Sequence, residues 1–146
     1  MSVARVERAS SRPTVANKDS MNNKDSMNED SMTVTRHEPS TILSKVVEAN
    51  GFVFTAGVVA DDIKQDVKGQ TQQILAEIDR LLKLAGTDKT KVVSATIWVA
   101  DIRTREAMNE AWTAWTGGEN LPGRACIEAK LANPRALVEI AVIAAK

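Results

Sequence analysis

The C-terminal stretch, residues 121–146, constrains the fold of this chain more than any other part of it. Residues 124–130 and 137–144 each have period-two character, and the turn signal Asn133-Pro134 lies between them. This pattern is typical of strands, because successive side chains of a strand point to opposite faces of the sheet. We therefore predict that the two runs are strands paired with each other.

Three polar side chains in these predicted strands indicate a small-molecule site. Arg124 and Cys126 are two residues apart, so they share one face of the first strand. Glu139 interrupts an otherwise apolar second strand, where a carboxylate is costly unless it has a partner or a function. An arginine, a thiol and a carboxylate converging on one sheet face would suit a small anionic substrate.

Strand and helix signals alternate from residue 41 onward. Asn50-Gly51, a strong turn dipeptide, predicts a hairpin between residues 42–48 and 52–57. Residues 92–100 are β-branched and nearly all apolar, which predicts a strand buried on both faces. Helical spacing predicts helices over residues 66–85, closed by Gly86, and 104–115, closed by residues 116–118. Their apolar stripes comprise Val67, Ile74, Ile78, Leu81 and Leu82 in the first helix and Ala107, Met108, Ala111, Trp112 and Trp115 in the second.

The predicted element order is therefore β-β-α-β-α-β-β, which indicates an α+β fold: a mixed β-sheet with both helices packed on one face. The other face of such a sheet needs cover, and this favours oligomerisation. Residues 1–40 precede the domain and hold no periodic apolar pattern. Their low-complexity composition, with Lys-Asp-Ser-Met repeated at residues 18–21 and 24–27, predicts a disordered extension, with a mis-assigned start or a transit peptide as alternatives.

Composition excludes several classes of function. Lysine plus arginine and aspartate plus glutamate number 19 each, and this zero net charge makes nucleic acid an unlikely partner and gives no case for an anionic membrane surface. The single cysteine, Cys126, rules out an internal disulfide and fits a reducing compartment. No apolar run approaches the ~18 residues of a membrane span. We expect a cytoplasmic protein with no membrane partner.

Four segments of the folded region form a recognisable pattern, and a fifth, Met108-Asn109-Glu110-Ala111-Trp112, supports it. The four are Phe52-Val53-Phe54-Thr55-Ala56-Gly57; residues 70–86 around Gln73-Ile74-Leu75; Val92-Val93-Ser94-Ala95-Thr96-Ile97-Trp98-Val99; and Pro122-Gly123-Arg124-Ala125-Cys126-Ile127-Glu128 with Leu137-Val138-Glu139-Ile140. In order and spacing these segments resemble the RidA/YjgF family of enamine/imine deaminases, and the resemblance runs from about Leu43 to the C-terminus. The resemblance implies a RidA-like domain over residues 41–146, with a chorismate-mutase-like fold. It also implies a homotrimer with sites in the clefts between subunits, and no metal or organic cofactor.

The resemblance assigns roles to individual residues. Arg124 falls on the family's signature arginine, which holds the substrate carboxylate, and Glu139 on the glutamate that positions and polarises the attacking water; these two are the expected catalytic residues. Cys126 and Asn109 match residues that line the pocket or lie near it. Ala56 and Gly57 match a backbone turn at which substrate carboxylates bind. Leu43 stands where the family's deaminases commonly carry a tyrosine, and this chain contains no tyrosine.

The implied reaction is hydrolytic deamination of reactive 2-imino acids or enamines of the 2-aminoacrylate type to 2-keto acids and ammonia. The missing tyrosine leaves alternatives open: a more apolar imino acid, a ring-fission enamine such as 2-aminomuconate, or a non-catalytic protein that binds a small carboxylate. A third class, an RNA-linked role, is suggested by labels carried by relatives, and the charge balance counts against it.

Each of these residues also has a purely structural interpretation. Arg124 could be an interface arginine paired with Glu128 or Glu139. Glu139 could form an ion pair with Arg124 or with a lysine, which would offset the cost of burying its charge. Cys126 could be a packed small side chain. Trp112 and Trp115 lie at helical spacing, which favours a core or subunit contact over base stacking.

Overall fold

The computed structural model describes residues 33–146, which form one open seven-stranded sheet and two α-helices. The helices are α1 (Val67–Leu84) and α2 (Arg105–Thr116), and short 3₁₀ turns at Lys89–Lys91 and Ile102–Thr104 precede β5 and α2. The strands are β1 (Val34–Pro39), β2 (Ser44–Ala49), β3 (Phe52–Thr55), β4 (Val58–Val59), β5 (Val92–Val99), β6 (Gly123–Glu128) and β7 (Val138–Ala145). The predicted α+β class, with two helices on a mixed sheet, is confirmed.

The strand order corrects one prediction from the sequence. The sheet runs β1-β2-β3-β7-β5-β6, with β4 also paired to β7, so the last two strands are not paired with each other. Instead, β5 lies between them, parallel to β6 and antiparallel to β7. The cause is α2, because a helix that connects two strands of one sheet returns the chain parallel to the strand it left. Period-two patterns identify strands, but this crossover determines which strands are neighbours.

The first helix forms where its sequence predicts. Asp66 is its N-cap, and the Asp66 Oδ1 accepts a hydrogen bond of 2.8 Å from the Gly69 amide. After the helix, Gly86 has φ of +80°, a conformation that glycine adopts without strain, as predicted for the residue closing the helix. All five residues of the predicted apolar stripe are buried.

One face of the sheet packs on both helices and the other does not. Alternate residues of β5 and β7, such as Ile97 and Ile140, are fully buried against the helices. On the opposite face Trp98 is only half-buried, so the prediction that β5 is buried on both faces is wrong for the single chain. Phe52 and Phe54 of β3 share that open face and are 39% exposed each. An exposed apolar face of this kind is typical of a surface that another chain covers, and oligomerisation stays a prediction.

The folded domain begins before the predicted boundary at residue 40. Strand β1 (Val34–Pro39) pairs antiparallel with β2, although the sequence places these residues in a disordered segment. The strand's side chains are mostly exposed, so it lacks the apolar alternation by which a strand is recognised. The prediction of disorder for residues 1–32 lies outside the residues that the structure describes.

Side chains also hold β1 to the rest of the domain. The His37 Nε2 lies 2.5 Å from the Glu48 Oε2, and the Lys146 Nζ donates to the other oxygen of the same carboxylate. The hydrogen bond from Lys146, followed by that from His37, holds the pKa of Glu48 below its usual value of 4.5. Because the folded-state pKa is lowered, the resulting stabilisation is present above about pH 4.5 and is lost as the pH falls through the folded-state value.

We expect Glu48→Gln to lower the melting temperature at pH 7 by about 4 °C, because it removes about 1 kcal/mol of ion pairing. The variant should also lose less stability than the wild type between pH 6 and pH 3, since it lacks this carboxylate. Thermal denaturation across that range measures both effects. Glu119→Gln, at an exposed residue, is the control, and equal acid sensitivity of the two variants would contradict the prediction.

Candidate functional site

The break between β3 and β4 builds one part of the candidate site. The Ala56 amide donates to the Lys45 carbonyl at 2.9 Å, and the Thr55 Oγ1 accepts from the Val142 amide at 3.0 Å, so the turn is tied to β2 and β7. Gly57 then lies directly against Glu139 of β7. A Cβ atom at Gly57 would be 2.7 Å from the Glu139 Oε2, so only glycine allows the carboxylate this position.

The Glu139 carboxylate has no hydrogen bond or ion pair with any residue between 33 and 146. It is half-buried on the sheet face opposite the helices, where it pairs with Trp98 of β5 and Val59 of β4. Within this range, the structural interpretation in which Arg124 or a lysine neutralises Glu139 has no contact to support it. The carboxylate therefore remains available to a ligand or a water molecule.

A cleft of about 660 Å³ opens beside this turn, between α1 and the strands β2 to β4. Three residues that the sequence assigned to the site lie together here: Leu43, which is 50% exposed, with Ala56 and Gly57. Sequence reasoning did not identify the other wall, which α1 contributes with its preceding loop. Its residues are Asp61, Gln73, Ala76, Glu77, Arg80 and Leu81, and Lys45, Val58 and Val59 complete the strand side.

Carboxylates pair both cations of this cleft. Arg80 donates to both oxygens of Glu77, at 2.6 and 3.0 Å, and to both oxygens of Glu38, at 2.8 and 3.1 Å. These hydrogen bonds lower the pKa of each carboxyl below its usual 4.5, and the pKa of Arg80 is raised. The Lys45 Nζ lies 3.8 Å from the same Glu38. The cleft therefore has no unpaired cation among these side chains, and Asp61 adds a carboxylate that no cation between residues 33 and 146 pairs with.

The other part of the candidate site is formed by β6 and α2. Arg124 and Cys126 pair in register with Ala95 and Ile97, which face the helices. Cys126 packs against the core, which fits the structural interpretation of this thiol. Arg124 is exposed at the sheet edge and forms no ion pair with any residue in the described range, so pairing with Glu128 or Glu139 is not observed there.

Asn109 of α2 belongs to the same region. The Sδ atom of the preceding residue, Met108, lies 3.9 Å from the Arg124 Nη1. Trp112, one helical turn after Met108, lies under the Arg124 guanidinium. The Asn109 Oδ1 is buried without a hydrogen-bond partner among residues 33–146. A buried acceptor in this state is costly and is satisfied by a donor brought by a ligand, a water or another chain.

The predicted convergence of Arg124, Cys126 and Glu139 on one sheet face is wrong within a single chain. Arg124 and Cys126 face the helices, whereas Glu139 lies on the opposite face. Strands β7, β5 and β6 are successive neighbours, so the turn at Gly57 and Arg124 are about three strand spacings, or about 14 Å, apart. The candidate residues therefore form two groups: Leu43, Ala56, Gly57 and Glu139, and Arg124, Cys126 and Asn109.

Other site types find little support in the described part of the chain. No group of three or more His, Cys, Asp or Glu side chains suited to a metal ion occurs between residues 33 and 146. None of the helices described is both long enough and apolar enough to cross a membrane.

Comparisons with known proteins agree with the fold. Residues 33–146 match the family model described as endoribonuclease L-PSP. A RutC family protein of Haemophilus ducreyi is 42% identical over 112 residues, which are 77% of this chain and 96% of that protein. The RutC family protein YoaB of Escherichia coli is 37% identical over 114 residues, 78% of this chain and 99% of its own.

Solved structures show the same relationship. The crystal structure of a YjgF family member from Neisseria meningitidis superposes with a TM-score of 0.77 at 37% identity, covering 80% of this chain and 97% of that one. A protein of the conserved Rid family from Yersinia pestis superposes with a TM-score of 0.74 at 28% identity, covering 78% of this chain and 100% of its own.

Proposed function

The chain belongs to the YjgF/RidA/RutC family, and from that premise we propose that it deaminates reactive 2-imino acids and their enamine tautomers, of the 2-aminoacrylate type, to 2-keto acids and ammonia. The observation that carries the proposal is the exposed Arg124 guanidinium, which no carboxylate between residues 33 and 146 neutralises. A guanidinium of this kind binds a carboxylate through two parallel hydrogen bonds, which fixes the substrate's orientation as well as its position.

In the proposed mechanism, Arg124 binds the substrate carboxylate and Glu139 accepts a proton from a water molecule. The water oxygen forms a bond to the imine carbon, while the π electrons of the C=N bond move to nitrogen. The nitrogen takes that proton from Glu139, which gives a carbinolamine. Glu139 then transfers the hydroxyl proton of the carbinolamine to the amino nitrogen, so that the C=O bond forms as the C–N bond breaks and ammonia leaves. Imines also hydrolyse spontaneously, so orientation and one general base provide sufficient acceleration.

We propose that the site is completed by a second copy of the chain, in a homotrimer. In one subunit, Arg124 and Glu139 lie on opposite faces of the sheet, too far apart to act on one small molecule. The half-exposed apolar face that carries Trp98, Phe52 and Phe54 offers the surface for such an association. The unsatisfied Asn109 Oδ1 at the other part of the site supports the same arrangement.

The charges of the cleft favour a substrate with one carboxylate. Arg80 and Lys45, the cations of this cleft, are engaged by Glu77 and Glu38, so neither is free for a second carboxylate. With Leu43 in place of a tyrosine, the wall beside Ala56 is apolar. A monocarboxylate with a small or apolar side chain therefore fits better than a dianion such as 2-aminomuconate.

The proposal is tested by ammonia and keto-acid release from imines generated with an amino-acid oxidase, in competition with semicarbazide. We expect about 100-fold acceleration over spontaneous hydrolysis for monocarboxylate imines, the low end for a placed general base. Glutamate-derived imines should react more slowly. The absence of acceleration for any imine, with folded protein, would reject the deaminase function.

Two further candidate functions can be tested with the same purified protein. A non-catalytic carboxylate-binding protein is favoured by Leu43, because the hydroxyl of a tyrosine is missing from the cleft. It predicts that 2-oxobutyrate raises the melting temperature without any ammonia release. An endoribonuclease, the description that the family model carries, predicts cleavage of RNA at moderate salt that is lost in Arg124→Ala.

We expect Gly57→Ala to reduce kcat about 10-fold or more while the melting temperature changes by less than about 2 °C. The new Cβ would overlap the Glu139 Oε2, and the flexible end of that side chain moves more easily than the backbone. A displacement of about 1 Å is enough to cost one to two orders of magnitude in rate. A crystal structure of the variant should show the carboxylate displaced. A kcat within twofold of wild type would contradict the assigned role of Glu139.

A further inference from the structure

The support beneath Arg124 is aromatic. The Arg124 Cζ lies over the Trp112 ring, 5.4 Å from the ring centroid, which is within the range of a cation–π interaction. The Nη1 group is directed at the Met108 Sδ at 3.9 Å, a weak acceptor. One face and one corner of the guanidinium are therefore occupied, and no acceptor between residues 33 and 146 engages the edge formed by Nε and Nη2.

Trp112 is itself held in place from behind. Its ring lies 5.4 Å from that of Trp115 at an interplanar angle of 48°, and only 7% of its surface is exposed. Trp115 is anchored in turn, because its Nε1 donates to the Asp79 Oδ1 of α1 at 3.0 Å. A chain of contacts thus runs from Asp79 through both indoles to the arginine. An exposed arginine without such support would sample many rotamers and lose more entropy on binding.

We propose that Trp112 is a positioning residue that pre-orients Arg124, so that the Nε/Nη2 edge of the guanidinium receives the substrate carboxylate. This inference rests on the proposed function, since it concerns the same anion clamp. An aromatic face suits this task better than a carboxylate would, because it orients the cation without neutralising the charge that the substrate needs. Helical spacing predicts a core or subunit contact for Trp112, and its second role follows from the packing of α2 over β6.

The test compares Trp112→Leu and Trp112→Phe with Val53→Ala, which shortens a buried side chain of β3, a strand that β7 and β5 separate from β6. Isothermal titration with 2-oxobutyrate, the unreactive keto-acid product, measures binding without catalysis. We expect Trp112→Leu to raise both Kd and KM about 3- to 30-fold with kcat little changed. Trp112→Phe, which keeps a π face, should recover most of the affinity, and Val53→Ala should stay within about threefold of wild type.

A spectroscopic signature separates positioning from packing. In wild-type protein, the Nε–H resonance of Arg124, assigned by its absence from Arg124→Lys, should show an indole ring-current shift and should move when 2-oxobutyrate is added. This measurement needs no Trp112 variant, so it holds even if Trp112→Leu does not fold. An unshifted resonance, or equal loss of affinity in Trp112→Leu and Val53→Ala, would overturn the inference. If affinity depends on Trp112 but no imine is hydrolysed, the inference stands and the deaminase function alone fails.

Discussion

Replacing Arg124 with alanine is expected to lower kcat/KM for 2-imino acids by about 100-fold or more, the largest loss for any single side chain of this protein. The variant lacks both charge-assisted hydrogen bonds to the substrate carboxylate, worth about 1.5–3 kcal/mol each. The fold should be unaffected, because Arg124 is exposed and forms no ion pair within residues 33–146. Its melting temperature should therefore stay within about 2 °C of wild type.

The measurement is a full kinetic comparison with two further variants. Arg124→Lys keeps the charge but not the planar fork, so it should recover only a minor part of the activity. Arg135→Ala, at an exposed arginine outside both groups of site residues, should leave the kinetics unchanged. Retention of more than a third of wild-type kcat/KM by Arg124→Ala, with imines still hydrolysed by wild type, would show that another group binds the carboxylate.

The second large effect is a gain of activity on mixing two inactive variants. Arg124→Ala and Glu139→Gln each disable every site of a homotrimer made of one kind of chain. If each site takes Arg124 from one subunit and Glu139 from its neighbour, a mixed trimer contains one intact site in about three. Co-expression with two different affinity tags, followed by tandem purification, should recover about a third of wild-type activity from two nearly inactive proteins.

The geometry of the single chain is the reason for expecting this result. Arg124 faces the helices on edge strand β6, whereas Glu139 is on β7 and points to the other face. The double variant Arg124→Ala/Glu139→Gln, co-purified with Arg124→Ala, has no intact site in any combination and serves as the control. Inactive mixed oligomers, or a monomer by light scattering, would reject the shared site.

Much of the fold could be predicted because it depends on local sequence. The hairpin at Asn50-Gly51 and the first helix with its cap at Asp66 are set by residues close to one another in the chain. Strand β1 was missed because its exposed, polar side chains carry no alternation. Its position depends on the contacts of His37 with Glu48 and of Glu38 with Arg80, and these partners are distant in sequence.

The candidate site also has residues that the sequence predicts and residues that only the tertiary structure brings to it. Sequence similarity was enough to name Arg124, Glu139, Gly57 and the residues near them. It did not identify Arg80 and Glu77, which line the cleft only because α1 docks against β2 to β4. Nor did it identify Trp112 as the support of Arg124, since that contact requires α2 to lie over β6.

The sequence by itself determined both helices, the strands other than β1 and β4, and which polar side chains interrupt apolar runs, because propensity, capping and periodicity act over a few residues. Only the tertiary structure decided that β5 separates β6 from β7. It also decided that Arg124 and Glu139 occupy opposite faces, and that an indole lies beneath the arginine. The physical reason is that a strand pattern specifies which residues share a face. Crossover connections and helix packing across the whole domain determine which strands are neighbours and which elements lie against each face.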